Sequence, residues 1–164
     1  MSDFRSDTDV WEAVRLNVAA LGGKHIKLGV LGQNTPVSGE SGITMVELAI
    51  IQELGSPAAG VPERSYIRST LLAKKSEIVA FQGKIVQAVI LKRITPEQAL
   101  NMFGAFMVGL VRATIRNRET TGPEDQANAP STIAKKGSDT PLIDEGKLIG
   151  AISFEVQSGS GGSA

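Results

Sequence analysis

Two long amphipathic patterns, separated by a helix-start signal, constrain the fold of this chain more than any other feature. Between residues 69 and 92, apolar residues recur on one face of a helix that would be about 36 Å long. The second pattern begins at Thr95, with Pro96 at the first helical position and Gln98 at capping-box spacing. Because short connections join antiparallel neighbours, the sequence predicts a helical hairpin over residues 69–118.

Shorter elements are predicted on both sides of the hairpin. Residues 9–21 have a helical apolar stripe, and a second short helix starts at Thr44, which has capping-box spacing to Glu47. Residues 24–31 and 151–156 alternate between apolar and polar side chains, as strands with one buried face do. Turn-forming residues fill the predicted loops, which are 32–42, 56–68 and 119–130.

These elements predict an α+β fold. We expect a small, mostly antiparallel sheet packed against the long helical hairpin, with extended loops available for assembly. A chain of 164 residues suits one domain, which we place at residues 1–156. Residues 157–164 are rich in Ser and Gly, and we expect them to form a disordered tail.

Composition excludes several classes of protein. The chain has no cysteine, which rules out disulfide frameworks and thiolate metal sites. Its 17 basic and 17 acidic residues balance, so no global charge draws it to nucleic acid or to an anionic membrane. No apolar run reaches the roughly 18 residues that span a bilayer, and the polar N-terminus lacks the order of a signal peptide. We expect a soluble protein made in the cytoplasm, with no membrane partner.

The chemistry-bearing residues form no recognisable catalytic arrangement. His25 is the single histidine, which argues against a Ser-His-Asp relay and a two-histidine metal site. The adjacent Asp144 and Glu145 do not face each other at a helix start, and Asp144 is better explained as a cap reaching Lys147. Capping and solvation likewise explain the other acidic residues considered, Glu47 and Glu53. No glycine-rich phosphate loop is present, so we predict no catalytic residue, no cofactor and no metal.

Three basic clusters leave a second class of function open. They are Lys74-Lys75, Arg112 with Arg116 and Arg118, and Lys135-Lys136. Any of them has the charge to contact phosphates. Helix-end stabilisation or an ion pair between subunits explains each cluster equally well. A nucleic-acid-binding accessory protein is therefore an alternative interpretation.

Three sequence runs carry a family resemblance. They are IQELGSP at 51–57, VPERSYIRST at 61–70 and KKGSDTPLIDEGKL at 135–148. In this order they resemble small neck or tail-completion proteins of tailed bacteriophages, often labelled virion-morphogenesis or putative tail-component proteins. The resemblance covers roughly residues 24–156. The family often has Thr where this chain has Glu145, so no contact is assigned to that hydroxyl.

The resemblance implies a non-enzymatic ring subunit of the virion neck, between the portal-proximal connector and the tail tube. The expected partners are further copies of the chain in a hexameric or dodecameric ring, head-completion or connector proteins, and tail terminator or tube proteins. DNA would pass through the channel without sequence-specific binding. A tail terminator that caps the tube is the alternative within this class, and a small hydrolase using Asp144 and Glu145 is a more distant one.

Candidate subunit-interface residues follow from the same runs. Arg64 and Arg68 flank Tyr66, and both residue types are favoured interface anchors. The alternative is that Tyr66 is half-buried and both arginines are solvated. The complete set of candidates is Arg64, Tyr66, Arg68, Lys135, Lys136, Asp144 and Lys147.

Overall fold

The chain folds into helices packed against one small sheet. The computed structural model describes residues 7–32, 43–59, 61–117 and 146–158 of the 164. In order, the elements are α1 (Asp7–Leu21), β1 (Lys24–Val30), α2 (Met45–Leu54), a 3-10 turn (Pro57–Ala59), α3 (Ile67–Ala73), α4 (Lys75–Ile90), α5 (Pro96–Arg116), α6 (Lys147–Ala151) and β2 (Ile152–Ser158). This mixture of helices with a two-stranded antiparallel sheet confirms the predicted α+β class.

The helical hairpin forms from α4 and α5. The Thr95 hydroxyl accepts a hydrogen bond from the Gln98 backbone nitrogen at 3.1 Å, and the Gln98 side chain accepts one from the Thr95 nitrogen at 2.9 Å. This reciprocal box fixes the start of α5. Across the hairpin, the rings of Phe81 and Phe106 stack with centroids 4.1 Å apart. The predicted start signal and the predicted packing are both confirmed.

The prediction of one continuous helix over 69–92 is wrong. The segment is divided between α3 and α4 at Lys74, whose φ of −102° and ψ of 15° depart from helical values. Just before the break, the Ser69 and Thr70 hydroxyls donate to carbonyl oxygens four residues earlier, at 2.5 and 2.6 Å. Such bonds compete with the helical ladder and bend helices. Gly83, the glycine within this segment, lies inside an unbroken α4.

The sheet consists of β1 and β2 in antiparallel register. Lys27 lies opposite Glu155, and Lys24 lies opposite Ser158. The second strand therefore extends two residues beyond the predicted boundary of the tail. One face of the sheet packs on α5, where the ring of Phe154 lies directly over the backbone of Gly104.

The core has two parts. The larger cluster joins α2, α3, α5, α6 and the sheet, and its buried members are Met45, Ala49, Tyr66, Val108, Val111, Ile115, Leu148, Ile149, Ala151 and Ile152. The smaller cluster lies between α4 and the start of α5, and its buried members are Ile85, Val89 and Ala99. Helix α5 contributes to both, which explains why it is more strongly amphipathic than α1, α2 and α4.

Helix α5 is also the one described helix whose length and composition would suit a membrane span. An 18-residue window within it has a mean hydropathy of 1.2. The core helix of a water-soluble protein can have the same length and apolar composition. In this fold Val108, Val111 and Ile115 on α5 are all buried against other elements of the chain.

Candidate functional site

The first two motif runs meet at the end of α2. Gly55 ends the helix with a φ of 74°, a conformation that side chains beyond glycine rarely adopt. Ser56 and Val61 then exchange two backbone hydrogen bonds at 2.8 and 3.0 Å, which closes a turn. A Cβ at position 55 would lie 2.8 Å from the backbone nitrogen of Glu63. Glycine at this position therefore lets the chain reverse and pass close to α2.

The carboxylate of Glu53 caps the helix that follows this reversal. One oxygen, Oε2, accepts hydrogen bonds from the backbone nitrogens of Tyr66 and Ile67 at 2.8 and 2.9 Å. The other, Oε1, accepts from the Arg68 nitrogen at 3.0 Å and from the Ser65 hydroxyl at 2.8 Å. The three backbone N–H groups are donors that the first turn of a helix leaves without intrahelical partners. A negative charge at this end also interacts favourably with the helix dipole.

Sequence reasoning missed this role of Glu53. Capping and solvation were expected to explain Glu53, with no capped helix specified, and the observed partners are 12 to 15 residues away along the chain. Local patterns such as the capping box act over three residues. A carboxylate that caps another helix leaves no such spacing. The nearest available signal was the resemblance itself, because it placed Glu53 in one motif run and its partners in the next.

Tyr66 belongs to the core. Its side chain is 1% exposed, and its hydroxyl donates to the backbone carbonyl of Ala49 at 3.4 Å. Burial raises the pKa of the Tyr66 hydroxyl well above its ordinary value, and the nearby charge of Glu53 raises it further. A buried ring offers almost no surface to a neighbouring subunit. The expectation that Tyr66 is a surface anchor is therefore corrected: it supports the segment from inside.

The two flanking arginines differ from each other. Arg68 is exposed and forms an ion pair with Glu63. Arg64 is partly buried, and its backbone nitrogen donates to the Gln52 carbonyl at 2.9 Å. The Nε of Arg64 and the Oε1 of Gln52 are both buried and find no hydrogen-bond partner among the described residues. Only Arg68 therefore presents an open charged surface, and a role for either arginine in assembly stays a prediction.

The third motif run ends in α6. Its N-cap position is occupied by Gly146 in a left-handed conformation (φ 71°). The proposed capping by Asp144 falls on a residue outside the described part of the chain and stays a prediction. Lys147 is exposed at the first position of the helix, whereas Leu148 and Ile149 are buried against the core. The remaining candidates of this run, Lys135, Lys136 and Asp144, lie outside the described residues, as does Glu145.

Arg112 has a structural task. Its Nη2 donates to the backbone carbonyl of Ile152 at 2.9 Å and to that of Gly150 at 3.4 Å. The side chain thus ties α5 to the junction between α6 and β2, and one member of the arginine cluster is committed within the fold. Arg116 is exposed in the last turn of α5, where positive charge is favourable. Arg118 lies outside the described residues.

Together, the described parts of the three runs surround the larger core cluster. Glu53 joins the first run to the second, and α6 packs against both α2 and β1. Around this centre, apolar side chains stay exposed: Ile50 and Leu54 on α2 at 52% and 63%, and Leu72 on α3 at 70%. The chemistry offered by this surface is shape, apolar contact and a few charges. Among the described residues, no three His, Asp or Glu side chains group closely enough to hold a metal ion.

Comparisons with protein families, with curated proteins and with solved structures found no match to this chain.

Proposed function

We propose that this chain is a structural virion protein of a tailed-bacteriophage neck, a ring-forming subunit that connects the head to the tail tube. The observation that carries the proposal is the meeting of the resemblance runs around one core. The run at 51–57 supplies the Glu53 cap, the run at 61–70 supplies the capped helix, and the end of the run at 135–148 supplies α6. Residues that define the resemblance therefore build one structural unit.

The surface around this unit supports a role in assembly. Large apolar side chains are exposed on every helix from α1 to α5, the most exposed on each being Trp11 (72%), Leu54 (63%), Leu72 (70%), Val79 (57%) and Met102 (46%). Single exposed apolar residues are ordinary, but apolar surface on several elements favours partners on more than one side. A subunit inside a closed ring has a neighbour on each side.

Native mass spectrometry of the purified full-length chain, followed by electron microscopy, tests the proposal. We expect a closed ring of identical copies and, in virions of a phage encoding the chain, its location at the head–tail junction. A stable monomer that is absent from virions would contradict the proposal. Location at the distal side of the neck, on the end of the tail tube, would instead identify a tail terminator.

A pair of matched variants tests whether the second motif run contributes to the ring. Arg68 and Arg15 are both exposed arginines, and each pairs with a nearby glutamate. We expect Arg68→Ala to shift the mass distribution from ring to monomer and Arg15→Ala to leave it unchanged. Equal behaviour of the two variants would remove Arg68 from the interface. Salt-dependent DNA binding by the purified chain would favour the nucleic-acid alternative.

A further inference from the structure

We propose that the open edge of β1 pairs with the open edge of β2 from a second copy of this chain. Copies would then join head to tail through a continuous sheet. The proposal concerns the contact itself, and it rests on the proposed function for one point only, that the assembly closes into a ring.

Each of the two strands has one edge that is not paired with another described strand. Within the described part of the chain, β1 pairs with β2 alone, so each strand has a neighbour on one side. Among the residues that the structure describes, the outer edge of each strand therefore has a row of backbone N–H and C=O groups without a strand partner. Two-stranded sheets are marginal by themselves, and added strands stabilise them. A second copy supplies the missing edge with the same strands.

The edge of β1 borders a groove. The groove has a volume of about 290 Å³ and is lined by the last three residues of β1, by Leu31 just after it, and by a face of α2 that includes Ile50 and Leu54. Successive side chains of a strand point to opposite faces of the sheet. The groove therefore lies beside the C-terminal half of β1, between the strand and α2, with Tyr66 and Ile67 also in its lining. A strand added there would also cover the exposed parts of Ile50 and Leu54.

The charges of the two strands favour one partner for the open edge of β1. The charged side chains of β1 are Lys24 and Lys27, both exposed, and β1 has no acidic residue. The charged side chain of β2 is Glu155, also exposed. Pairing β1 with a second β1 would bring lysines together, and like charges on opposed strands are destabilising.

Pairing β1 with β2 of another copy brings opposite charges together. It repeats the register found within the chain, where Lys27 lies opposite Glu155. Lysine on an edge strand discourages non-specific pairing, so the acidic partner strand adds selectivity. A contact between two different edges is heterologous, and a chain of such contacts closes into a ring if the rotation between copies permits.

The absence of cysteine from the chain allows a direct test. Lys27→Cys and Glu155→Cys are placed in separate full-length chains that carry different tags and are co-expressed, then oxidised mildly. Opposed residues on paired strands are about 4.5–5.5 Å apart at Cα, within reach of a disulfide. We expect a mixed product at twice the 17.2 kDa chain mass on a non-reducing gel, and no such product from either variant alone.

A matched control uses another exposed lysine. Lys84→Cys on α4, co-expressed with Glu155→Cys, should give no mixed product. Cross-linking of Lys27→Cys with itself would overturn the proposal in favour of a two-fold dimer. No product in any combination, or equal yields from positions 27 and 84, would also overturn it. Because native mass spectrometry of the unmodified chain reports the ring independently, failure of the strand contact is distinguishable from failure of the proposed function.

Discussion

The Glu53 carboxylate accepts the backbone N–H of Tyr66 at 2.8 Å, so a side chain on α2 completes the first turn of α3. This contact joins two segments that the sequence separates by two glycines, two prolines and a tight turn. It fixes the position of α3 relative to α2. Because the Tyr66 ring is part of the larger core cluster, the same contact orients a core side chain.

Removing this cap should destabilise the whole domain. Glu53→Ala leaves three backbone N–H groups and the Ser65 hydroxyl without their acceptor, and we expect a loss of about 2–3 kcal/mol in the free energy of unfolding. Glu53→Gln keeps one acceptor oxygen and should lose less. Urea denaturation measures both. Glu77→Ala, at an exposed acidic position, is the control and should change stability by about 0.5 kcal/mol or less. A loss at Glu53 no larger than this would refute the capping role.

Two glycines of α5 should respond to alanine in opposite directions. A Cβ at position 104 would lie 2.1 Å from the Phe154 ring, so Gly104→Ala forces the ring or the helix to move and should cost about 1–3 kcal/mol. A Cβ at position 109 meets open space in a helical backbone, so Gly109→Ala should stabilise by about 0.4–1 kcal/mol. Thermal unfolding of both variants checks the pair. Stabilisation by both would show that β2 does not pack on Gly104 as described.

Substituting the two buried threonines Thr70 and Thr114, whose hydroxyls contact each other, should reduce stability by unequal amounts. The Thr70 hydroxyl lies 2.6 Å from the Tyr66 carbonyl oxygen and 2.8 Å from the Thr114 hydroxyl. A hydroxyl has one proton, so we infer that Thr70 donates to the carbonyl and accepts from Thr114. Thr70→Val then removes two hydrogen bonds and leaves the Thr114 hydroxyl without its acceptor, while the Tyr66 carbonyl keeps the Thr70 backbone N–H at 3.4 Å. It should cost about 1–3 kcal/mol, whereas Thr114→Val removes one bond and should cost less. The denaturation midpoints of the two variants test this prediction. A larger loss for Thr114→Val than for Thr70→Val would contradict the inferred direction of the hydrogen bond between the two hydroxyls.

The capping box at α2 should make stability depend on pH. Hydrogen bonds from the Thr44 backbone nitrogen, at 2.8 Å, and from its hydroxyl lower the pKa of Glu47 below its ordinary value of 4.5. A carboxyl group with a lowered pKa in the folded state stabilises the fold above 4.5, and the contribution is lost as pH falls through the lowered value.

We therefore expect Glu47→Gln to be less stable than the unchanged chain at neutral pH and to approach it in stability at a pH well below 4.5. Urea midpoints of the two proteins, compared across that range, test the expectation. Glutamine retains an acceptor for the backbone bond, so the comparison isolates the charge. A difference that stays constant with pH would exclude the titration of Glu47 as its source.

Local sequence determined the elements whose stabilising partners are close along the chain. The boxes at Thr44–Glu47 and Thr95–Gln98 were predictable because each joins residues three apart. The alternation at 24–30 and the stripe of α5 were likewise sufficient to predict a strand and a core helix. The break at Lys74 was not predicted. The hydrogen bonds from the Ser69 and Thr70 hydroxyls that precede it form only once the backbone is helical there, and Ser and Thr residues do not always make them.

Tertiary structure alone decided which residues these elements bring together. Nothing near Glu53 in sequence indicates that its carboxylate caps α3. Likewise, nothing near Gly104 indicates that the Phe154 ring occupies the space where a side chain at position 104 would lie. Tyr and Arg are residue types common at interfaces, yet Tyr66 is buried in the core and Arg112 donates to backbone carbonyls of its own chain. The reason is physical: helical and strand periodicity assign a residue to a face, whereas its partner depends on how separate faces pack.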